Sequence, residues 1–123
     1  MTTMNDFFAV KELEYLNQHL SAVVGLNPQH GIYEGHFPNQ PVVPGVCSIY
    51  MIKQLLQQYL GTSIRFTKIG STKFLKMLDP RQDTELSFNI EMGQLVDSTI
   101  KLQVIGTANS EVFIKLKGQI AVD

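Results

Sequence analysis

The sequence predicts an α+β fold in which an antiparallel sheet of about six strands wraps around one long central helix. Three observations predict it. Apolar and polar residues alternate with a period of two near the carboxyl end: Leu86, Phe88, Ile90 and Met92, then Ile100, Leu102 and Val104, then Val112, Ile114 and Leu116. That period marks strands with one buried face. Short polar breaks, Asp97-Ser98 and Ala108-Asn109-Ser110, separate these runs and favour hairpins, hence antiparallel pairing. Finally, residues 46–60 contain no helix breaker, with Pro44-Gly45 just before them and Gly61 just after, where glycine caps a helix.

The remaining elements follow in chain order. Residues 8–15 and 20–26 read as a weaker strand pair. Three prolines, Pro38, Pro41 and Pro44, then stiffen the approach to the helix. Val46, Cys47, Ile49, Tyr50, Met51 and Ile52 make the first two helical turns apolar nearly all round, whereas Lys53, Gln54, Gln57 and Gln58 gather later. Such a helix is expected to begin buried and end at the surface. Residues 64–75 read as extended, with alternation that slips near Gly70, where a bulge is expected. Residues 78–83 form a turn. In the last strand the pattern sets Phe113 outward with Lys115 and Lys117.

At 123 residues, with 44% apolar and 17% charged residues, the chain suits one globular domain. No run approaches the roughly 20 apolar residues of a membrane span. The opening residues lack a basic stretch followed by an apolar one, so no secretion signal is read. The lone cysteine, Cys47, cannot form an internal disulfide and fits a reducing compartment; a cytoplasmic protein is expected. A net charge of -1 provides no field for nucleic acid or an anionic membrane. There is no GxGxxG, GxxxxGK[ST], GxSxG, CxxC or HExxH, so neither a cofactor nor a metal is expected.

The chemistry concentrates in the stretch from His36 to Tyr50. Each proline fixes its own φ near about -65° and keeps its predecessor out of the helical region, so the prolines can hold His36 in one place. An imidazole with a pKa of about 6.5 accepts a proton near neutral pH. Gly45 and Val46 stand where the helix begins, with backbone N–H groups that lack internal partners and the positive end of the helix dipole behind them. Such a terminus can hold a carbonyl group and stabilise the charge that builds on its oxygen. Glycine at 45 allows close approach of a bound group. His19 and His30, outside this frame, read as ordinary surface or hydrogen-bonded histidines.

His36-Phe37-Pro38, Pro41 and Pro44-Gly45-Val46 at this spacing resemble the active-site signature of the 3-hydroxyacyl-acyl carrier protein dehydratases, enzymes of the hot-dog fold. Element order agrees over roughly residues 7–122. The resemblance implies a homodimer, or a higher assembly of dimers, whose sheets join edge to edge with an acyl tunnel at the interface; a heterodimer with a related hot-dog chain is the variant. It implies His36 as base, the Gly45 and Val46 amides as the oxyanion site, and Phe37, Pro44 and Cys47 against the substrate. The family carries Glu or Asp fourteen residues after the histidine, and here that position is Tyr50. A phenol, with a pKa of about 10, donates a hydrogen bond at neutral pH but is the weaker acid. The family's glycine after Pro38 is Asn39 here. Arg65, Lys68, Lys73, Lys76 and Arg81, opposed within 65–81 by Asp79, read as a basic rim that would steer an acidic acyl carrier protein, the expected partner alongside acyl-CoA. Three readings follow: dehydration of a 3-hydroxyacyl thioester to the trans-2-enoyl thioester, a catalytically silent carrier-protein-binding subunit, and an acyl thioesterase.

Overall fold

The computed structural model describes residues 6–35 and 40–123. The elements run β1 (Phe8–Leu16), β2 (His19–Leu26), a short 3-10 helix (Gly31–Gly35), α1 (Gly45–Leu60), β3 (Ile64–Phe74), β4 (Glu85–Met92), β5 (Thr99–Ala108) and β6 (Glu111–Val122). All six strands form one sheet in the order β1-β2-β4-β5-β6-β3, with each neighbouring pair antiparallel. The sheet curls around α1, which is the hot-dog arrangement.

Local chemistry explains the hairpins. Asn17-Gln18, Asp97-Ser98 and Asn109-Ser110 have φ values from 50° to 68°, the left-handed pair of a two-residue turn whose twist matches that of the strands. Asparagine and aspartate tolerate this conformation better than most residues. On β4 and β5 the buried sets are Leu86, Phe88, Ile90, Met92 and Ile100, Leu102, Val104, as the alternation requires.

In β6 the outward placement of Phe113 is overturned, because Phe113 and Ile114 are both buried. The physical reason is a β-bulge in β6: Gly106 pairs with Ile114 and Thr107 with Val112, so Phe113 is the extra, unpaired residue and the facing of the strand changes there. Gly106 makes room for it, since a Cβ there would lie 2.7 Å from Ile114 Cγ2 and 2.8 Å from Phe113 Cζ. The bulge expected near Gly70 is present, as register shifts between Phe66 and Lys68 and between Ile69 and Ser71.

The helix differs from expectation in its burial. Cys47, Ser48, Met51, Ile52, Leu55 and Leu56 form a buried stripe over its whole length, whereas Val46 at its start is 71% exposed. The helix lies lengthwise in the hollow of the sheet, so one stripe faces inward from end to end. Gly61 caps it with φ 71°, its N–H donating to the Gln57 carbonyl. The inward faces of the sheet close on this stripe through Leu20, Val24, Leu86, Phe88, Ile90 and Leu116.

Candidate active site

Pro44 sits at the cap of α1 with φ -61° and ψ 144° and offers no capping side chain. The Cys47 N–H donates to the Pro44 carbonyl at 2.9 Å, and among the described residues nothing accepts from the Gly45 or Val46 N–H. Two amide donors at the positive end of a 16-residue helix therefore remain available. Asp or Glu in the first turn would compete for that field, and none is there.

This terminus opens on a cavity of about 350 Å³ lined in part by Val42, Pro44, Gly45, Ser48, Phe74 and Met77. β3 ends beside the start of α1, so the Phe74 ring lies over Gly45: a Cβ there would meet Phe74 Cζ at 2.8 Å. The glycine is what allows this approach. The segment leading in is anchored by the Val43 N–H to the Leu78 carbonyl, and Leu75 N–H donates to the Phe113 carbonyl. Sequence reading missed Phe74, Ser48 and Met77, and no local pattern singles them out, because only the docking of β3 against α1 brings them to the helix tip.

His36 and Phe37, with Pro38 and Asn39, lie outside the described residues. Tyr50 is half-buried on the helix, its ring meeting Phe8 edge-on at 6.2 Å and 90°. Cys47 is buried, and burial pushes its thiol above the ordinary range, the opposite of what a nucleophile needs. Tyr33, in the 3-10 helix, is also buried; among the described residues its hydroxyl has no hydrogen-bond partner, and burial, with Cys47 and Asp79 adding to it, pushes the phenol well above its usual range. His30 is a core residue, its Nδ1 accepting from the Ile32 N–H at 3.1 Å and its ring edge-on to Phe7. On the surface, His19 Nδ1 lies 2.9 Å from Asn89 Oδ1.

The five residues of the expected rim divide. Arg81 is held by Asp79, with Nη2 3.1 Å from Oδ2, and these hydrogen bonds keep the Asp79 carboxyl below its usual range. Lys76 reaches the buried Asp83 at 3.4 Å. Arg65, Lys68 and Lys73 are exposed on β3. Among the described residues no helix is long and apolar enough to cross a membrane.

Known proteins resemble this chain in the same terms. Residues 12–112 match the family model described as ApeI-like, ApeI dehydratase. The 3-hydroxyacyl-[acyl-carrier-protein] dehydratase FabZ of Acetivibrio thermocellus is 32% identical over 100 residues, covering 72% of this chain and 62% of the relative. That of Oenococcus oeni is 28% identical over 86 residues, covering 64% and 60%. The chain thus spans about three fifths of the length of these two curated relatives. The Erythrobacter litoralis FabZ is 28% identical over 113 residues, covering 83% of this chain and 74% of its own length. In structure, a chain of the dehydratase heterocomplex ApeI:P from Xenorhabdus doucetiae superposes with a TM-score of 0.72 at 22% identity, covering 92% of this chain and 96% of that one. A hypothetical thioesterase with coenzyme A from Streptococcus pneumoniae superposes at 0.68 and 14% identity, covering 98% and 91%. On a family match that spans most of its length, the chain belongs to the ApeI-like dehydratases.

Proposed function

We propose that this protein removes water from 3-hydroxyacyl thioesters, carried by an acyl carrier protein or coenzyme A, to give trans-2-enoyl thioesters. The observation that carries the reading is the uncapped start of α1: the Gly45 and Val46 amides are free of acceptors among the described residues, Gly45 borders an apolar cavity, and in sequence the proline-rich stretch that begins at His36 leads into this helix. The thioester carbonyl accepts from these amides. His36 takes a proton from C2, the electron pair forms the C2–C3 double bond, and the 3-hydroxyl leaves with its bonding pair and collects a proton to become water. Amides aligned on the carbonyl oxygen act most strongly when its charge is greatest, a contribution of about 3–4 kcal/mol where such donors have been removed one at a time. Tyr50, at the position of the family's carboxylic acid, helps the hydroxyl leave as a neutral donor, alone or through water. The active unit is a dimer joined along β3, the open edge of the sheet next to the cavity.

A second reading is a silent carrier-protein-binding subunit, favoured by one observation, the phenol of Tyr50 packed edge-on against Phe8 in place of a carboxylic acid. A thioesterase is the third, favoured by the fold shared with the coenzyme A-bound thioesterase.

The test is an enoyl-thioester absorbance assay on the purified protein with 3-hydroxyacyl carrier protein substrates of several chain lengths, with thiol release followed in parallel. Growth of the enoyl band without thiol release, lost in His36→Ala and reduced in Tyr50→Phe, is the expected result. A wild-type protein inert across chain lengths overturns the proposal; thiol release without the enoyl band selects the thioesterase.

A further inference from the structure

The cavity at the start of α1 is walled mainly by apolar side chains, among them Val43, Phe74, Leu78 and Phe113. Two polar side chains border it. Lys76 is engaged, since its Nζ stands 3.4 Å from Asp83 Oδ1. Ser48 is not. It is 2% exposed, and among the described residues its hydroxyl makes no hydrogen bond. A serine inside a helix can bond to the carbonyl four residues back. Here that carbonyl belongs to Pro44, and it accepts from the Cys47 N–H instead. A hydroxyl buried without a partner costs stability, and one kept on the wall of a cavity is accounted for by what the cavity takes in.

Helix geometry fixes its place relative to the free amides. Ser48 lies three residues after Gly45, a rise of about 4.5 Å, on a neighbouring part of the same face, and helical side chains lean toward the amino end. Tyr50, two positions further on, is turned about 160° away around the helix. Its ring packs on Phe8 of β1, whereas Phe74, which borders the cavity with Ser48, belongs to β3 at the opposite edge of the sheet. Within one chain, therefore, Ser48 and not Tyr50 is the hydroxyl presented to this cavity.

We infer that Ser48 is a specificity-determining residue: its Oγ–H donates to the 3-oxygen of an acyl chain whose thioester carbonyl sits on the Gly45 and Val46 amides. The contact rests on the substrate class proposed above and adds the means by which the protein tells a 3-hydroxyacyl chain from a saturated one. The spacing agrees. The 3-oxygen is four bonds from the carbonyl oxygen, about 3–5 Å away in staggered conformations, and the amides and Ser48 are about one helical turn apart. A buried neutral donor discriminates sharply, because a chain that lacks the hydroxyl leaves it unpaired in an apolar wall; methylene contacts alone do not separate the two chains. Ser48 orients the hydroxyl in the bound state whichever group then supplies the proton with which it leaves.

The test titrates the intact protein with two coenzyme A thioesters of equal length, 3-hydroxyhexanoyl and hexanoyl, in a His36→Ala background so that the first is not consumed. Expected is binding of the 3-hydroxy thioester about tenfold tighter than of the saturated one. Adding Ser48→Ala brings the two to the same affinity, through a loss at the 3-hydroxy thioester alone. Ser48→Cys, close in size and a poor donor, gives the same result and serves if the alanine variant does not fold. A preference that both variants keep, an equal loss for both thioesters, or no preference in the starting protein overturns the inference. Enoyl-thioester formation is followed separately in the chain that retains His36. A Ser48-dependent preference in a protein that forms no enoyl product sinks the dehydratase reading and leaves the Ser48 contact standing; turnover with a preference indifferent to Ser48 does the reverse.

Discussion

The Tyr33 hydroxyl is buried without a partner among the described residues, and a polar group in that position ordinarily costs about 1–3 kcal/mol. Burial keeps the phenol protonated throughout the accessible pH range, so no charge compensates for the lost hydration. Tyr33→Phe removes the oxygen and keeps the ring that packs on Phe7, and it is expected to raise stability by about 1 kcal/mol in chemical denaturation. A loss of stability would show that the hydroxyl is satisfied in solution. Gly45 makes the opposite trade. Gly45→Ala puts a methyl group 2.8 Å from Phe74 Cζ, but Phe74 is 53% exposed and its ring can turn aside, so folding suffers little. The amide donors shift with the backbone and the acyl group loses its close approach, so kcat/KM for dehydration is expected to fall by about tenfold to a hundredfold with the melting temperature nearly unchanged. Equal activity in this variant would separate the helix tip from the chemistry.

Between residues and fold, the loop that joins β3 to β4 is held by one carboxylate. Asp83 is 5% exposed and accepts from the Asp79 N–H at 3.0 Å, from Asn109 Nδ2 at 2.7 Å and from Lys76 Nζ at 3.4 Å. It thereby fastens the turn at 79–83 to the β5–β6 hairpin and supports Leu78, whose carbonyl anchors Val43 just before the helix. Asp83→Ala orphans these donors and is expected to cost about 2–3 kcal/mol in urea unfolding, with Asp83→Asn intermediate because it keeps an acceptor. Elements of this kind explain what was legible in the sequence. A period of two, two-residue polar breaks and a glycine after the helix are local signals, and they placed β4, β5, α1 and the Gly70 bulge. Phe113 was misplaced because it is itself the extra residue of a bulge, and the bulge is defined by how β6 pairs with β5, which alternation within β6 alone does not report. Likewise the burial of α1 followed from a sheet that covers its whole length, which composition by turns could not reveal. At the site, the helix start was readable because its signals are contiguous, while the proline frame around His36 lies outside the described residues; Phe74 and Met77 meet Ser48 there only through packing across 26 or more positions of chain.

At the scale of the molecule the sheet has two open edges, β1 and β3, and they differ in what borders them. Where β3 ends beside the start of α1, Val46, Phe74, Leu75 and Met77 are 71%, 53%, 53% and 72% exposed, an apolar border that a lone domain leaves against water. β1 exposes Lys11, Glu12 and Glu14 along its length, with Tyr15 and Leu16 exposed at its end. A second copy meeting this chain along β3 would satisfy the open backbone of the strand and cover those four side chains twice over, since a two-fold interface uses the same patch on both partners. It would also cover the cavity at the helix tip, whose lining includes the exposed Phe74 and Met77. The expected outcome is that the wild-type protein sediments as a dimer, and that Val46→Glu/Met77→Glu, which sets four carboxylates across the two-fold contact, sediments as a folded monomer with its native circular dichroism. The proposed dehydration should disappear with the dimer, because the monomer leaves the cavity at the helix tip open to water. A variant that stays dimeric would move the contact to another edge, and a monomer with full turnover would place the whole site within one chain.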